Sequence, residues 1–271
     1  GAGTDNVKGG SGADTIKINS AGQGNADTLD GGAGTSDILQ LSAGSHSFTD
    51  NSKLANIETI KGHASSATTV GLTGQLEILK VDGGSAGDTI TGGNANDIIT
   101  GGGGDDIIAG GAGDDSLTGN ANDDTFKVDG GTDTITDLAT GDIVVVSNSA
   151  KAQATGITSF VATSDTKIIS GTAEFTAASG GGTINLSSAH GASNDYTLMG
   201  GDGGDTLTGD AGNDTFKINA STKRNNDTFV GGNGTDTIIL SAGTHALTNN
   251  TKVATIEKIQ TDSSGSVVSL A

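Results

Sequence analysis

Large apolar residues recur every nine positions through residues 83–127: Ile90, Ile99, Ile108, Leu117 and Phe126. Each sits in a short alternating segment, such as Thr-Ile-Thr at 89–91 or Thr-Phe-Lys at 125–127. Alternation of this kind predicts a short strand whose middle side chain points inward and whose neighbours point outward. Between the strands the chain reads GGSAG, GGNAN, GGGGD, GGAGD and GNAND. Closely spaced glycines allow positive φ and a tight turn that shows its carbonyls to one point. Turn plus strand fills nine residues, and two such units make one coil of a flattened parallel solenoid. One more position is fixed. An aspartate stands two residues before each apolar one, as Asp88, Asp97, Asp106, Asp115 and Asp124. Aspartates eighteen residues apart then stack at the inter-strand spacing of about 4.8 Å.

Stacked carboxylates repel unless a cation lies between them. Carboxylate and backbone carbonyl oxygens are the ligand set of a hard cation, and flexible six-to-eight coordination suits Ca²⁺ better than Mg²⁺. The unit can be written GGxGxDxUx, with U apolar. Residues 101–109 and 110–118 match it at every fixed position, while Ala86, Ala95, Asn120 and Asn122 stand where glycine is expected. This stretch resembles the RTX (repeats-in-toxin) calcium-binding β-roll. The resemblance implies an all-β, right-handed parallel β-roll or β-helix with calcium-binding nonapeptide turns. It also implies multiple Ca²⁺ ions, each held between two aspartates and glycine-loop carbonyls. The pairs would be Asp88 with Asp106, Asp97 with Asp115, Asp106 with Asp124, and Asp115 with Asp133 of the shortened phrase GGTDTIT at 130–136. The carbonyls would be those of Gly101, Gly103, Gly110, Ala112, Gly119 and Ala121.

Composition narrows the picture. Glycine is 47 of 271 residues, and the aromatics are six Phe and one Tyr. A thin, ladder-like core follows more naturally than one large globular one. The net charge is −19, which makes nucleic acid a poor partner, and many of the acids fall at the fixed position of the repeat. The absence of Cys removes disulfides and thiolate metal sites. The absence of Pro lets strands pair without interruption. No apolar run approaches the length of a membrane span, and the N-terminal residues do not read as a signal peptide. The first residues, GAGTDNVK, begin at the second position of a phrase, so the chain reads as a piece of a longer protein.

Taken in order, residues 1–37 form an RTX-like block with Asp5, Asp14, Asp27 and Asp37. The phrases holding Asp27 and Asp37 are looser versions, and that of Asp37 carries one extra residue before the aspartate, which is expected to move the carboxylate. Residues 38–82 read as a β-helix module in which Ile38–Leu41, Ile57–Ile60 and Leu76–Leu79 recur at about nineteen residues. A single helical turn is conceivable at Asn51–Thr59. The central β-roll spans 83–147. A β-rich connecting module fills 148–199, with strand-like segments of unknown pairing at 151–190. A second block at 200–239 duplicates 1–39 and carries Asp205, Asp214, Asp227 and Asp236. A second β-helix module, 240–271, duplicates 41–72, so that LSAGSHSFTDNSKLANIETIK answers LSAGTHALTNNTKVATIEKIQ.

No catalytic constellation stands out, and the chain is not expected to be an enzyme. GGSAG at 83–87 fits a GxSxG elbow by chance, since another phrase follows it where a helix would be needed. There is no GK dipeptide and no HExxH. His46 and His245 hold matching places in the two copies, which suits a shared packing role. The alternation of phrases with IETI modules resembles long Gram-negative surface-layer proteins of RTX type. That resemblance implies secretion by a type I route, placement on the bacterial cell surface and self-association into a lattice. Attachment to a cell-surface polysaccharide would fall to other parts of the protein. An RTX adhesin and the non-catalytic tail of a secreted enzyme are the alternative readings.

Overall fold

The structure is a computed structural model describing residues 4–21, 26–190, 195–218, 227–241, 244–247, 252–262 and 267–270. Every regular element among them is a β-strand, and the strands pair in parallel. No helix among the described residues is long and apolar enough to cross a membrane. The chain divides into two compact units, Gly1–Thr134 and Ile135–Ala271.

In the first unit, one sheet runs through Thr15–Lys17, Ile38–Gln40, Thr59–Lys61, Lys80–Gly84, Ile98–Gly103 and Ser116–Ala121. A second runs through Gly44–Ser47, Thr68–Gly71, Thr89–Thr91, Ile107–Ala109 and Thr125–Val128. A third short sheet joins Asn6–Ser11, Thr28–Ala33 and Leu54–Ala55. Each strand contributes one inward side chain, and register stacks these into ladders. Leu39, Ile60, Val81, Ile99 and Leu117 align in the first sheet. Val70, Ile90, Ile108 and Phe126 align in the second. All nine are buried. At about 1.5–3 kcal/mol for each fully buried Leu, Ile, Val or Phe, these columns are the principal favourable term of a core only one side chain thick. The strand residues beside them, such as Ile98 and Ile107, point outward and are exposed.

The second unit is built the same way. One sheet holds Ala150–Ile157, Gly171–Ala177, Tyr196–Met199, Thr215–Ile218, Thr237–Leu240 and Lys258–Thr261. Another holds Ser159–Val161, Thr183–Asn185, Thr206–Thr208, Thr228–Val230 and Lys252–Ala254. Phe175, Leu198, Phe216 and Ile238 stack in the first, and Phe160, Ile184, Leu207 and Phe229 in the second. Aromatic rings meet edge to face, with Phe160–Phe175 centroids 5.8 Å apart and Phe216–Phe229 6.0 Å apart, a favourable arrangement of their quadrupoles. The strands of 151–190 thus have parallel partners and continue a solenoid that has lost its glycine phrases.

The module 38–82 departs from its expected pattern in two places. Its coils are 21 residues long, since Leu39 pairs with Ile60 and Ile60 with Val81. The third strand is therefore Lys80–Gly84 and not Leu76–Leu79. Leu79 is buried, but Leu76 and Ile78 lie in the preceding loop with 63% and 65% of their surface exposed. Residues 51–53 form a turn, followed by the strand Leu54–Ala55 rather than a helical segment. Asp50 fixes that turn by accepting from the Ser52 N–H and hydroxyl. His46 is buried, with its Nε2 2.9 Å from the Ser42 carbonyl. The side chain of His245 lies outside the described residues.

Candidate calcium ladders

The turns owe their shape to residues that tolerate positive φ. Gly102 sits at φ 120° and Gly104 at 92°. In the next phrase of that column Asn120 and Asn122 replace them at 73° and 85°. Asn is the L-residue that visits this region most readily, so those substitutions keep the turn. The first glycine of the phrase has a different reason. A Cβ on Gly101 would strike the Asp106 carboxylate, which folds back over its own turn. Gly110 stands the same way to Asp115, Gly119 to Asp124, Gly209 to Asp214, and Gly231 to Asp236.

The aspartates form hydrogen-bonded ladders. Each Oδ1 accepts the backbone N–H of the residue one coil earlier. Asp88 N–H donates to Asp106 at 2.6 Å, and Asp106 N–H to Asp124 at 2.8 Å. Asp97 N–H donates to Asp115 at 2.7 Å, and Asp115 N–H to Asp133 at 3.1 Å. These are the four pairs expected from the sequence. The early block repeats the pattern, Asp5 N–H donating to Asp27 and Asp14 N–H to Asp37. The extra residue before Asp37 does not displace its carboxylate, because the turn at 34–36 absorbs it and leaves Ile38 paired with Thr15. The turn before Asp27 lies partly outside the described residues. In the second unit, Asp205 N–H donates to Asp227 and Asp214 N–H to Asp236.

With Oδ1 satisfied, Oδ2 is the available oxygen. In Asp14, Asp37, Asp88, Asp106, Asp115, Asp133 and Asp236 it is buried without a hydrogen-bond partner. Such an atom is costly unless something positive meets it. Burial raises the carboxyls of Asp88, Asp106, Asp115, Asp133 and Asp236 above the ordinary aspartate range, and neighbouring carboxylates add to it against the backbone hydrogen bonds. Asp106 and Asp115 are pushed to about 6, Asp214 to about 7 and Asp133 to about 8. Asp88, Asp97 and Asp236 shift the same way, desolvation leading. Asp97 and Asp214 differ from the rest, since their Oδ2 atoms also accept N–H bonds, from Gly93 and Asp210.

Carbonyls converge on the same places. A Cβ built on Gly83 would lie 2.5 Å from the Gly101 carbonyl oxygen and 2.6 Å from Asp88 Oδ2. The Gly110 carbonyl and Asp97 Oδ2 meet beside Gly92, and the Gly231 carbonyl and Asp214 Oδ2 beside Gly209. Each cradle gathers a carboxylate oxygen and a carbonyl oxygen, a donor set that fits a hard cation, and beside Gly83 the carboxylate oxygen has no hydrogen-bond partner. Among the described residues no three His, Cys, Asp or Glu side chains converge on one point. Of the other expected carbonyl donors, Gly103 and Ala121 pair in register at the ends of their strands, and Ala112 N–H donates to Gly93. Gly119 lies over the Asp124 carboxylate.

The ladders also contain residues that do not belong to any phrase. Thr68 N–H donates to Asp88, and Leu79 N–H to Asp97. Glu58 Oε2 accepts from Asp37 N–H at 2.7 Å, and Glu257 Oε2 from Asp236 N–H at 2.8 Å. The signal for the glutamates was their matching place in the two copies, IETI and IEKI, each 21 residues after an aspartate of the ladder.

Comparison with known families agrees with this geometry. Residues 1–38, 82–117, 101–135, 191–217 and 222–244, together more than half of the chain, match the RTX calcium-binding nonapeptide repeat. No curated protein matches the chain. The chain belongs to the RTX calcium-binding nonapeptide repeat family, and its repeats bind multiple Ca²⁺ ions.

Proposed function

We propose that this chain is a structural segment of a secreted bacterial surface protein, folded by calcium outside the cell and assembling with its own copies into a surface layer. Asp5, Asp14, Asp27, Asp37, Asp88, Asp97, Asp106, Asp115, Asp124, Asp133, Asp205, Asp214, Asp227 and Asp236 are its ion ligands, with the turn carbonyls. The observation that carries the reading is the set of buried, partnerless Oδ2 atoms along the ladders. Without ions, stacked carboxylates over a core one side chain thick cannot offset chain entropy. Millimolar external calcium exceeds a Kd of about 10⁻⁴–10⁻³ M, the range of extracellular modules, and each ion bound only to the folded form adds stability.

The arrangement of the repeats supports assembly over the tail of an enzyme. Phrases alternate with phrase-free coils at 38–82 and 151–190, and one phrase-plus-module set is duplicated. An enzyme tail would need only one unbroken block. Electron microscopy of the purified chain in millimolar calcium tests the proposal. Ordered two-dimensional arrays that dissolve in chelator are expected. Dispersed particles at every concentration would sink the lattice reading and favour the adhesin one.

A further inference from the structure

The ladders do not end where the nonapeptides end. In the first unit the series Asp14, Asp37 continues to Glu58, and in the second Asp214, Asp236 continues to Glu257. The residue after each glutamate repeats the backbone pattern of the ladder: Thr59 N–H donates to the Asp37 carbonyl and Lys258 N–H to that of Asp236, as Ile107 N–H does to that of Asp88. Glu58 and Glu257 N–H turn to the same two carbonyls, whereas the N–H of a ladder aspartate such as Asp88 goes to the next carboxylate. The turn before each glutamate is short. Strand Leu54–Ala55 reaches Glu58 through only Asn56 and Ile57, and Lys252–Ala254 reaches Glu257 through Thr255 and Ile256. A phrase uses five residues there.

The shortened turn keeps the cradle. The Asn56 carbonyl and Asp37 Oδ2 meet beside Gly31, and the Thr255 carbonyl and Asp236 Oδ2 meet beside Gly231. This is the arrangement found beside Gly83, Gly92 and Gly209. Asn56 and Thr255 take positive φ, 52° and 51°, and a β-branched residue is rare there. Asp37 and Asp236 are at most 1% exposed, and their Oδ2 atoms have no hydrogen-bond partner. The longer glutamate side chain spans the gap left by the missing residues, so a carboxylate again follows an aspartate along the stack. Glu58 is half-buried and Glu257 exposed.

We propose that Asp37, the Asn56 carbonyl and Glu58, and likewise Asp236, the Thr255 carbonyl and Glu257, hold two further calcium ions on a glutamate turn that lies outside the nonapeptide phrase. This rests on the calcium reading of the phrases. The glutamate turn closes each ladder and carries ion binding into the β-helix modules.

A simpler role for the glutamates is to accept the aspartate N–H and nothing more. Glu58→Gln and Glu257→Gln separate the two, because the amide oxygen still accepts that bond but the charge is gone. Calcium stoichiometry is counted on the full chain by equilibrium dialysis with metal analysis. Each single variant should bind one ion fewer than the unaltered chain, and the double variant two fewer, with the β spectrum retained in saturating calcium. Unchanged stoichiometry would overturn the inference. Asp106→Asn in the same series reports on the phrases. If it loses ions while the glutamine variants lose none, only the inference fails. If the unaltered chain binds no calcium, the reading beneath it fails. Terbium-loaded crystals of the unaltered chain need no variant. Anomalous peaks beside Gly31 and Gly231 are expected, and filled phrase cradles with neither of those peaks would also overturn the inference.

Discussion

Replacing Asp106 by Asn should change stability in opposite directions with and without calcium. The amide oxygen can still accept the Asp88 N–H bond at 2.6 Å, so the strand ladder stays intact. What goes is a buried negative charge whose carboxyl is pushed to about 6, chiefly by burial. In metal-free protein at pH 8 that charge opposes folding. A shift of about 2 units from the ordinary aspartate value corresponds to about 3 kcal/mol, reduced to roughly 1–2 kcal/mol by solvent screening at the turn. The variant should be more stable than the parent by that amount. In calcium the sign reverses. Asp106 lies between Asp88 and Asp124 in its ladder, so the proposed ligand set gives it two ions. One ion contributes about 2.7 kcal/mol at roughly 100 times its Kd, so losing two costs about 5 kcal/mol. Asp88 has Thr68, not a carboxylate, on its other side, so Asp88→Asn should lose only about half as much. Urea unfolding of both variants in excess calcium, and osmolyte-induced folding of the same variants in chelator, where the chain is otherwise coil, read all four numbers. Destabilisation by Asp106→Asn in both conditions would refute the charge argument. Equal losses for the two variants in calcium would refute the shared ion.

Three further outcomes follow from the same geometry. Gly101→Ala should weaken calcium binding and lower the calcium-loaded unfolding free energy by about 1–3 kcal/mol, since its Cβ would strike the Asp106 carboxylate; a urea midpoint within error of the parent would contradict that packing. Metal-stripped protein should lose stability as pH rises from about 4 to 8. The folded values of Asp106, Asp115, Asp214 and Asp133, about 6, 6, 7 and 8, lie above the unfolded value, so the folded state holds protons that the unfolded chain has released across this window. Osmolyte-induced folding of the stripped chain at pH 5 and pH 8 checks this, and folding at a lower osmolyte concentration at pH 8 would be the wrong sign. Ile99→Ala should cost about 2–5 kcal/mol in calcium, because Ile99 is fully buried between Val81 and Leu117, while leaving the number of bound ions unchanged in dialysis.

The phrase-bearing coils were legible because two positions in nine are chemically fixed. An aspartate and an apolar residue two places later mark both the ligand and the inward side chain, and every aspartate pair expected in the central block lies in register. Where the phrases stop, no residue marks which apolar side chain faces in. Leu76 and Ile78 read as strand, yet the coil lengthens to 21 residues and only Leu79 and Val81 reach the core. The same ambiguity hid the pairing of 151–190, whose inward residues are as different as Ala152, Phe160, Ala173 and Phe175. Glu58 and Glu257 were hidden for another reason. They follow shortened turns without glycine, and only stacking shows that they stand where a phrase has its aspartate.

The most direct test is far-ultraviolet circular dichroism of the metal-stripped chain titrated with calcium, with magnesium in parallel. A cooperative passage from coil to β near about 10⁻⁴–10⁻³ M calcium, absent with magnesium, is the predicted result. A β spectrum already complete in chelator and unmoved by calcium would contradict it, since the strands would then hold without ions between their carboxylates.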